Sequence, residues 1–392
     1  MEDSSSLNIQ ALPPLSVYVH IPWCIHKCPY CDFNSHEFKG QNIKDNEMAY
    51  TQALIKQIGS HQFETNRPIQ SIFFGGGTPS LFNPQSFEKI IHALKQKFSL
   101  AEFCEITIEA NPGTVDKQYF YGYREIGINR MSLGIQSFND KHLKKLERIH
   151  NQKEAYDAAT LAIKLFDNVN IDLMFALPSQ TLPDLNEDIE EAINLHSTHL
   201  SYYHLTLEPN TYFYNHPPAI PDHDESAEFS DLVKSKLMEA KFEHYETSAY
   251  AKPESKCNHN LNYWKFGDYL GIGAGAHSKI TNGFNITRFS TYKNPKQYIQ
   301  AFNNHSHSYI QDEHLINKND IPFEFMMNAL RLNGGFTIDL FEQRTGLSLS
   351  SIDSEIELCL EKGLLEKNDV TIKPTLLGQN FLNDLLQIFL RN

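Results

Sequence analysis

The sequence predicts an α/β fold in which six parallel strands, each followed by a helix, form a partial (β/α)6 barrel of the TIM type. A mainly helical domain follows at the C-terminal end. Between residues 15 and 250, short apolar runs alternate with longer amphipathic stretches, which is typical of repeated βα units. Glycine or polar residues interrupt the apolar runs near their C-terminal ends, where the active sites of such barrels lie.

The predicted elements alternate in order along the chain. The apolar strand segments are residues 16–20, 71–74, 105–109, 130–136, 170–175 and 200–207. The amphipathic segments predict helices at residues 47–59, 84–98, 117–126, 152–166, 183–195 and 225–241. Further on, an Asn-Gly turn signal at 282–283 predicts a hairpin. The last part predicts a short strand near 370–372 and helices at 323–332, 339–345, 350–362 and 376–390.

These patterns divide the chain into four regions. We predict an N-terminal tail at 1–14, a barrel at 15–250, a glycine-rich and aromatic extension at 251–310, and a helical domain at 311–392. A chain of 392 residues is long enough for one large α/β domain together with a smaller one.

Composition excludes several classes of protein. The 41% hydrophobic and 21% charged content is ordinary for a globular protein and argues against disorder. A formal net charge of −14 makes non-specific nucleic-acid binding unexpected, because phosphate contacts need clustered lysine and arginine. Neither a membrane-spanning run nor the apolar core of a secretory signal is found in the sequence, so we expect a cytosolic protein.

Three cysteines lie within eight residues, in the segment CIHKCPYC. Cys24, Cys28 and Cys31 have the spacing C-x3-C-x2-C directly after the first predicted strand. In a reducing compartment such cysteines indicate metal ligands rather than disulfides. Three thiolates suit an iron–sulfur cubane whose fourth iron has no protein ligand. A structural zinc site is the alternative, and it would need a fourth ligand such as His26 or His36.

This segment resembles the signature of the radical SAM superfamily. The resemblance implies a [4Fe–4S] cluster on the three cysteines, with S-adenosylmethionine on the open iron and reductive cleavage to a 5′-deoxyadenosyl radical. The motifs GGGTP, IEANP, GIQS and NIDLMFALP extend the resemblance along the first 175 residues. By resemblance, the S-adenosylmethionine site comprises Tyr18, Tyr30, Gly76, Gly77, Thr78, Glu109, Gln136, Arg148 and Asp172. Carboxylates suit ribose hydroxyls, and arginine suits a carboxylate.

Within the superfamily, the sequence is similar to the group of oxygen-independent coproporphyrinogen III dehydrogenases and related heme chaperones. The dehydrogenases have a further cysteine where Phe33 stands, and a longer N-terminal extension than the 23 residues that precede Cys24 here. Both differences favour the chaperones. The segment HNLNYW also matches the chaperones' H-N-x-x-Y-W motif, which implies that His259 binds heme. From residue types alone, His259 is instead a hydrogen-bonded loop histidine beside two core aromatics, and Cys257 is another possible iron ligand.

The resemblance therefore implies a heme chaperone that binds the cluster, S-adenosylmethionine and heme, and delivers heme to an acceptor protein. Cleavage of S-adenosylmethionine would require an electron donor. The alternative is a dehydrogenase that removes carboxyl groups from coproporphyrinogen III by radical chemistry. A third interpretation is a structural module that a cluster or a zinc ion stabilises, without any radical chemistry. The run GIGAGAH at 271–277 resembles a segment near the adenosyl group, but a tight closure of the barrel would explain its glycines equally well.

Overall fold

The computed structural model describes residues 7–38, 43–60, 66–114, 117–303 and 308–390. Its strands are β1 Leu15–Ile21, β2 Trp23–Cys24, β3 His36–Glu37, β4 Ile69–Gly76, β5 Leu100–Ala110, β6 Arg130–Gln136, β7 Asn168–Phe175, β8 His199–His204, β9 Glu243–Glu246, β10 Ala249–Ala251, β11 Asp268–Ile272, β12 His277–Thr281, β13 Ile286–Thr291, β14 Ile310–Leu315, β15 Phe336–Thr337, β16 Leu365–Lys367 and β17 Thr371–Pro374.

The helices lie mainly between successive strands. They are α1 Ile43–Ser60, α2 Pro84–Lys97, α3 Lys117–Glu125, α4 Asp140–Lys145, α5 Gln152–Leu165, α6 Leu182–Asn194, α7 Tyr212–Asn215, α8 His223–Glu239, α9 Asn258–Trp264, α10 Pro295–Asn303, α11 Ile321–Ala329, α12 Ile338–Thr345, α13 Asp353–Glu361, α14 Leu376–Asn380 and α15 Leu382–Gln387. Short 3-10 helices occupy Pro79–Leu81, Pro112–Thr114 and Leu349–Ile352.

Six parallel strands in chain order form the centre of one large sheet. Strands β1, β4, β5, β6, β7 and β8 are neighbours in that order, which confirms the predicted α/β barrel strands. The sheet continues past β8 to β10 and β9, and past β1 to β11, β12, β13 and β14. In the described part of the chain, β14 and β9 do not pair with each other, so the barrel is partial.

The pleat of β1 separates an apolar face from a polar one. Leu15, Val17 and Val19 are fully buried in the main core, together with apolar side chains of α1 and α2. The alternate residue Ser16 faces the inside of the barrel, where its hydroxyl oxygen accepts a hydrogen bond from Ser71 at 2.8 Å. Alternation along strands thus directs polar side chains into the barrel, where they need hydrogen-bond partners.

Residues 251–310 contribute strands to the same sheet. Strand β11 pairs in parallel with β1, and β12 and β13 form the predicted hairpin across the Asn-Gly turn. The polar segment that precedes them forms α9, which had not been predicted. Helix α9 lies against β1 and β4, and His259 in its first turn meets Ser71 near the start of β4. The predicted boundaries of this region, at residues 250 and 310, remain predictions.

The C-terminal residues form a second core with a small sheet. Phe325, Phe341 and Ile372 are fully buried there, and Leu7 and Ile9 of the predicted tail join them, whereas residues 1–6 lie outside the described range. The predicted strand near 370–372 is β17, and it pairs with β15 and β16. The single helix predicted at 376–390 is two short helices, α14 and α15, separated at Phe381.

None of the helices in the described ranges combines the length and the apolar character that crossing a membrane requires.

Candidate cofactor and substrate site

A cavity of about 360 Å³ opens at the carboxyl ends of the parallel strands. Parallel strands bring these ends to one edge, so residues far apart in sequence meet there. The predicted site residues that line it are Cys24, Cys28, Tyr30, Cys31, Gly76, Gly77, Thr78, Glu109, Gln136, Arg148 and Asp172. Tyr18 and His259 are not among its lining residues.

The cysteine loop, residues 24–36, is held directly against the end of β4. Its two ends are joined where β2 pairs with β3. A Cβ atom added at Gly77 would lie 2.6 Å from the Trp23 carbonyl oxygen and 3.0 Å from the Cys24 sulfur. Only glycine permits this approach. The backbone N–H groups of Gly77 and Thr78 donate to the carbonyl oxygens of Ile21 and Trp23, at 2.8 and 2.7 Å, which fixes the loop on the sheet.

The three thiols are free, and each has a polar neighbour. Arg148 Nη1 lies 3.3 Å from the Cys28 sulfur, and the Ser35 hydroxyl lies 3.9 Å from the Cys31 sulfur. The Thr78 side chain hydrogen-bonds Cys24. Burial raises the pKa of Cys24 to about 11, so its thiol is protonated at neutral pH until a metal displaces the proton.

This donor set fits an iron–sulfur cubane. In the ranges that the structure describes, no three or more His, Cys, Asp or Glu side chains are placed to hold a single metal ion. A cubane has no such requirement, because each thiolate takes a different iron. His26, a candidate fourth ligand of zinc, has both ring nitrogens engaged, with Glu37 at 3.0 Å and Glu147 at 3.1 Å.

Gly76 and Glu109 form one wall of the cavity. Gly76 has a φ of +120°, a region that favours glycine, and its N–H donates to Glu109 Oε2 at 3.1 Å. Burial, followed by the nearby Asp172, raises the pKa of Glu109 to about 8. The glycine backbone can therefore approach a ligand closely, beside a carboxyl group that gains charge when a cation binds.

Asp172 is oriented by a hydrogen-bond network between the neighbouring strands β6 and β7. Its two carboxylate oxygens accept from the Ser132 hydroxyl at 2.7 Å and from Asn170 Nδ2 at 2.8 Å. Burial raises the pKa of Asp172 despite these bonds. Because the network fixes the carboxylate, Asp172 can accept hydrogen bonds from a ligand's hydroxyl groups at a defined position.

Arg148 connects the cysteine loop to β6. Its guanidinium bridges the Cys28 sulfur and the Gly134 carbonyl oxygen, the latter at 2.6 Å. Tyr30 hydrogen-bonds Cys28 and Arg148, and its ring packs on Phe213. Gln136 ends β6 with a φ of +71°, in the left-handed region. Sequence motifs placed these residues near one another, and the structure brings them to the same cavity.

Tyr18 lines a second cavity of about 630 Å³ that adjoins the first. The two cavities share the lining residues Lys27, Asp32, Phe33, Gly76 and Glu109. The Tyr18 hydroxyl donates to His20 Nδ1 at 2.9 Å, and His20 Nε2 donates to the Asn34 carbonyl oxygen at 2.9 Å. Burial lowers the pKa of His20 to about 4, so this ring is neutral and links β1 to the cysteine loop.

His259 lies on α9 inside the barrel and is only 2% exposed. Its Nδ1 is 2.9 Å from the Ser71 hydroxyl, and its ring stacks on Phe73 with centroids 5.0 Å apart. Since Ser71 donates to Ser16, Nδ1 carries the ring proton, and Nε2 is a buried acceptor without a hydrogen-bond partner in the described residues. Direct ligation of heme iron by Nε2 would require this packing to open.

The N-terminus of α9 is held by Glu105. Its carboxylate oxygens accept from the backbone N–H groups of Asn258 at 2.9 Å and His259 at 3.0 Å. Cys257, the alternative thiolate ligand, is 1% exposed and also contacts Glu105. The two residues thus belong to the interior of the barrel in this structure.

Some lining residues of the first cavity were missed from the sequence. They are Asn111, Ser132, Met174, Tyr203, His204 and Glu208. Ser132 stands two and four residues before Gly134 and Gln136 on β6, so the alternation of strand side chains could have identified it. Glu208 follows β8 in a connecting segment without strand alternation, so no such pattern identifies it.

Comparisons with known proteins identify relatives of this chain. A model of the Radical SAM superfamily matches residues 18–192, and a model of the HemN C-terminal domain matches residues 316–381. The heme chaperone HemW of Haemophilus influenzae is 44% identical over 97% of this chain and 98% of that relative. The HemW proteins of Escherichia coli and Bacillus subtilis are 42% and 33% identical, over 97% and 96% of this chain and 99% of each relative.

Among solved structures, the coproporphyrinogen III oxidase HemN from Escherichia coli superposes with a TM-score of 0.82 at 21% identity. The match covers 96% of this chain and 90% of that one. At this identity the likeness shows the fold alone.

We expect the substitution Gly77→Ala to reduce cluster retention. The new methyl group would press on the Trp23 carbonyl and the Cys24 sulfur. Overpacking of this kind costs about 1–3 kcal/mol, which corresponds to roughly 5- to 150-fold in an equilibrium constant. Iron and sulfide content after anaerobic reconstitution measures the effect. Gly59→Ala, which would meet nothing within 4 Å, is the matched control and should load fully. Equal iron content in both variants would contradict the prediction.

We expect Glu109→Gln to change the pH dependence of stability of the protein without cofactors. The folded-state pKa of about 8 means that Glu109 holds its proton on folding but releases it on unfolding between about pH 4.5 and 8. Its contribution to the free energy of unfolding therefore falls as pH rises through this window. Each pKa unit corresponds to at most about 1.4 kcal/mol, which solvent in the cavity reduces.

Chemical denaturation at several pH values between 5 and 8 tests this expectation. The stability of Glu109→Gln relative to the unsubstituted protein should increase with pH. Glu102→Gln, on the exposed part of the same strand, is the control and should leave the pH dependence unchanged. A constant difference for Glu109→Gln across this range would show that Glu109 ionises normally.

Proposed function

The chain belongs to the HemW family of heme chaperones within the radical SAM superfamily, and on that premise we propose that it binds heme and delivers it to a heme-requiring acceptor protein. The observation that carries the proposal is similarity to the HemW proteins over 97% of the chain, which includes the cysteine loop, the barrel and the C-terminal region. Phe33 supports it, because the resemblance predicts a cysteine at this place in a coproporphyrinogen dehydrogenase.

In this proposal Cys24, Cys28 and Cys31 hold a [4Fe–4S] cluster. When bound, the cluster supplies the electron that cleaves the sulfonium of S-adenosylmethionine. Other residues of the chain position the cluster ligands and set their electrostatic environment. Gly77 lets the cysteine loop lie on the sheet, and Arg148 places a positive charge 3.3 Å from the Cys28 sulfur. A cationic donor at a thiolate stabilises its negative charge and so favours the reduced state of a bound cluster.

S-adenosylmethionine would occupy the cavity beside the cysteine loop. We assign its amino group to the Gly76–Thr78 segment and its hydroxyl and carboxylate groups to Glu109, Gln136, Arg148 and Asp172. The oriented Asp172 carboxylate supports this assignment, as does the close approach that the two glycines permit. Tyr30 would border the ligand from the cysteine loop, and Tyr18 would do so from the adjoining cavity.

Heme would be the cargo and not a resident cofactor. The motif that contains His259 contributes to its site in this proposal, since Tyr263 of the motif lines the second cavity and His259 packs beneath it, with ring centroids 5.0 Å apart. The partners are an acceptor protein and an electron donor. We place the protein in the cytosol, because free thiols such as these three persist in a reducing compartment.

We expect Asp172→Asn to weaken S-adenosylmethionine binding without loss of iron. A hydrogen bond to a charged group contributes about 1.5–3 kcal/mol, so the dissociation constant should rise by roughly 10- to 100-fold. Equilibrium binding to the reconstituted protein, with iron content measured in parallel, tests this. Asp167→Asn is the control, because the Asp167 side chain is 91% exposed. Unchanged affinity in Asp172→Asn would remove Asp172 from the site.

Heme binding and coproporphyrinogen turnover on one anaerobic, cluster-loaded preparation test the proposed function itself. We expect stoichiometric binding of hemin, transfer to an apo-heme protein, and no formation of protoporphyrinogen. Absorption spectra follow the hemin, and product analysis follows the porphyrinogen. Robust decarboxylation of coproporphyrinogen III, with hemin bound only weakly, would favour the dehydrogenase over the chaperone. Zinc in place of iron and sulfide would overturn both.

A further inference from the structure

On the basis of the proposed function, we infer that the second cavity is the heme site, with the imidazole of His277 as iron ligand and the ammonium groups of Lys27 and Lys293 as partners for the propionates. His277 begins β12, at the end of the glycine-rich run 271–277, and none of these residues lines the first cavity. All three side chains line this cavity, and only Lys27 also lines the first.

The volume and the aromatic walls of the cavity suit a planar macrocycle. A volume of about 630 Å³ lies within the range of about 300–1,000 Å³ that is usual for small-molecule sites. Aromatic rings of Tyr18, Tyr263, Tyr269 and Phe33 line it. The Tyr269 hydroxyl accepts a hydrogen bond from Arg288 Nη1 at 2.9 Å, which fixes that ring. Fixed aromatic faces favour stacking against a planar ligand.

The charges at the cavity favour an anionic ligand. The chain carries a net charge of −14, yet two exposed lysines, Lys27 and Lys293, line this cavity. The Lys27 ammonium also donates to the carbonyl oxygens of Phe33 at 3.1 Å and Ser35 at 3.3 Å, which holds it at the cavity wall. The acidic lining residues are Asp32, which is exposed, and Glu109, which burial keeps largely protonated at pH 7. Heme propionates are carboxylates, and lysine ammonium groups bind such anions at the mouths of pockets.

His277 is the histidine of this cavity that is free to bind iron. His20 uses both ring nitrogens in hydrogen bonds, and the half-buried His36 hydrogen-bonds the backbone of Lys293. The His277 side chain is exposed, and within the described ranges no hydrogen bond to its ring is found. Partial burial, followed by the charges of Lys293 and Arg288, lowers its pKa, so the ring is the neutral form that ligates iron.

A heme in this position would lie next to S-adenosylmethionine. Phe33, Gly76 and Glu109 belong to the walls of both cavities. Phe33 is 61% exposed, so an apolar ring of the cysteine loop is available to a ligand from either side. The residue that distinguishes this loop from a four-cysteine loop would therefore contact the cargo.

The experiment is hemin titration of the cluster-loaded protein under anaerobic conditions, followed by absorption spectroscopy. We expect His277→Ala to raise the dissociation constant at least tenfold and to change the bands that report axial ligation, and added imidazole to restore those bands. The double substitution Lys27→Gln with Lys293→Gln should weaken binding tenfold or more with the spectrum unchanged. His92→Ala, an exposed histidine on the outer face of α2, is the control and should bind as the unsubstituted protein does.

Iron content and S-adenosylmethionine affinity, measured on each variant, show that it is folded and loaded. If the unsubstituted protein fails to bind hemin, the proposed function fails. If it binds hemin and His277→Ala binds equally with the same spectrum, the inference is overturned while the proposed function stands. Loss of the axial bands in His259→Ala but not in His277→Ala would likewise overturn it and would assign the iron to the buried imidazole.

Discussion

The contact between the cysteine loop and the end of β4 is the constraint on which the rest of the site depends. At Gly77 the sheet approaches the Trp23 carbonyl and the Cys24 sulfur more closely than any side chain would allow. This contact presses the thiols against the carboxyl edge of the parallel sheet, where Glu109, Asp172 and Arg148 converge from three other strands or loops. Without it the thiols and the strand-end groups would not share one cavity.

The sequence predicted the barrel well because its signal is local. Each parallel strand is an apolar run, and its functional side chain stands at a fixed place near its end, as for Glu109 and Gln136. Apart from the β12–β13 hairpin, the strands β11 to β14 were harder to predict, because glycine and polar residues interrupt the apolar alternation there. The pairing that joins them to the barrel, between β11 and β1, also links segments that lie far apart in sequence. The small C-terminal sheet was missed, apart from β17, because strands of two or three residues have no resolvable periodicity.

The candidate site was predictable where motifs place residues on strand ends, and less so where tertiary packing decides. Motif resemblance indicated His259 but could not show that Glu105 anchors α9 inside the barrel and leaves the imidazole 2% exposed. Similarly, no sequence pattern predicts that Lys293 lines the same cavity as Lys27. Both placements depend on the pairing of β11 with β1. The whole fold decides which strands pair, so a local sequence pattern does not predict it.

The side chain of Asn34 joins the cysteine loop to the wall of the second cavity through backbone groups alone. Its amide nitrogen donates to the carbonyl oxygens of Ala274 and Lys293, both at 3.0 Å. A backbone carbonyl does not depend on its side chain, so the exposed Lys293 side chain can be replaced while this bond stays available. Natural selection can therefore change the charge that position 293 presents to the neighbouring pocket without loosening the cysteine loop.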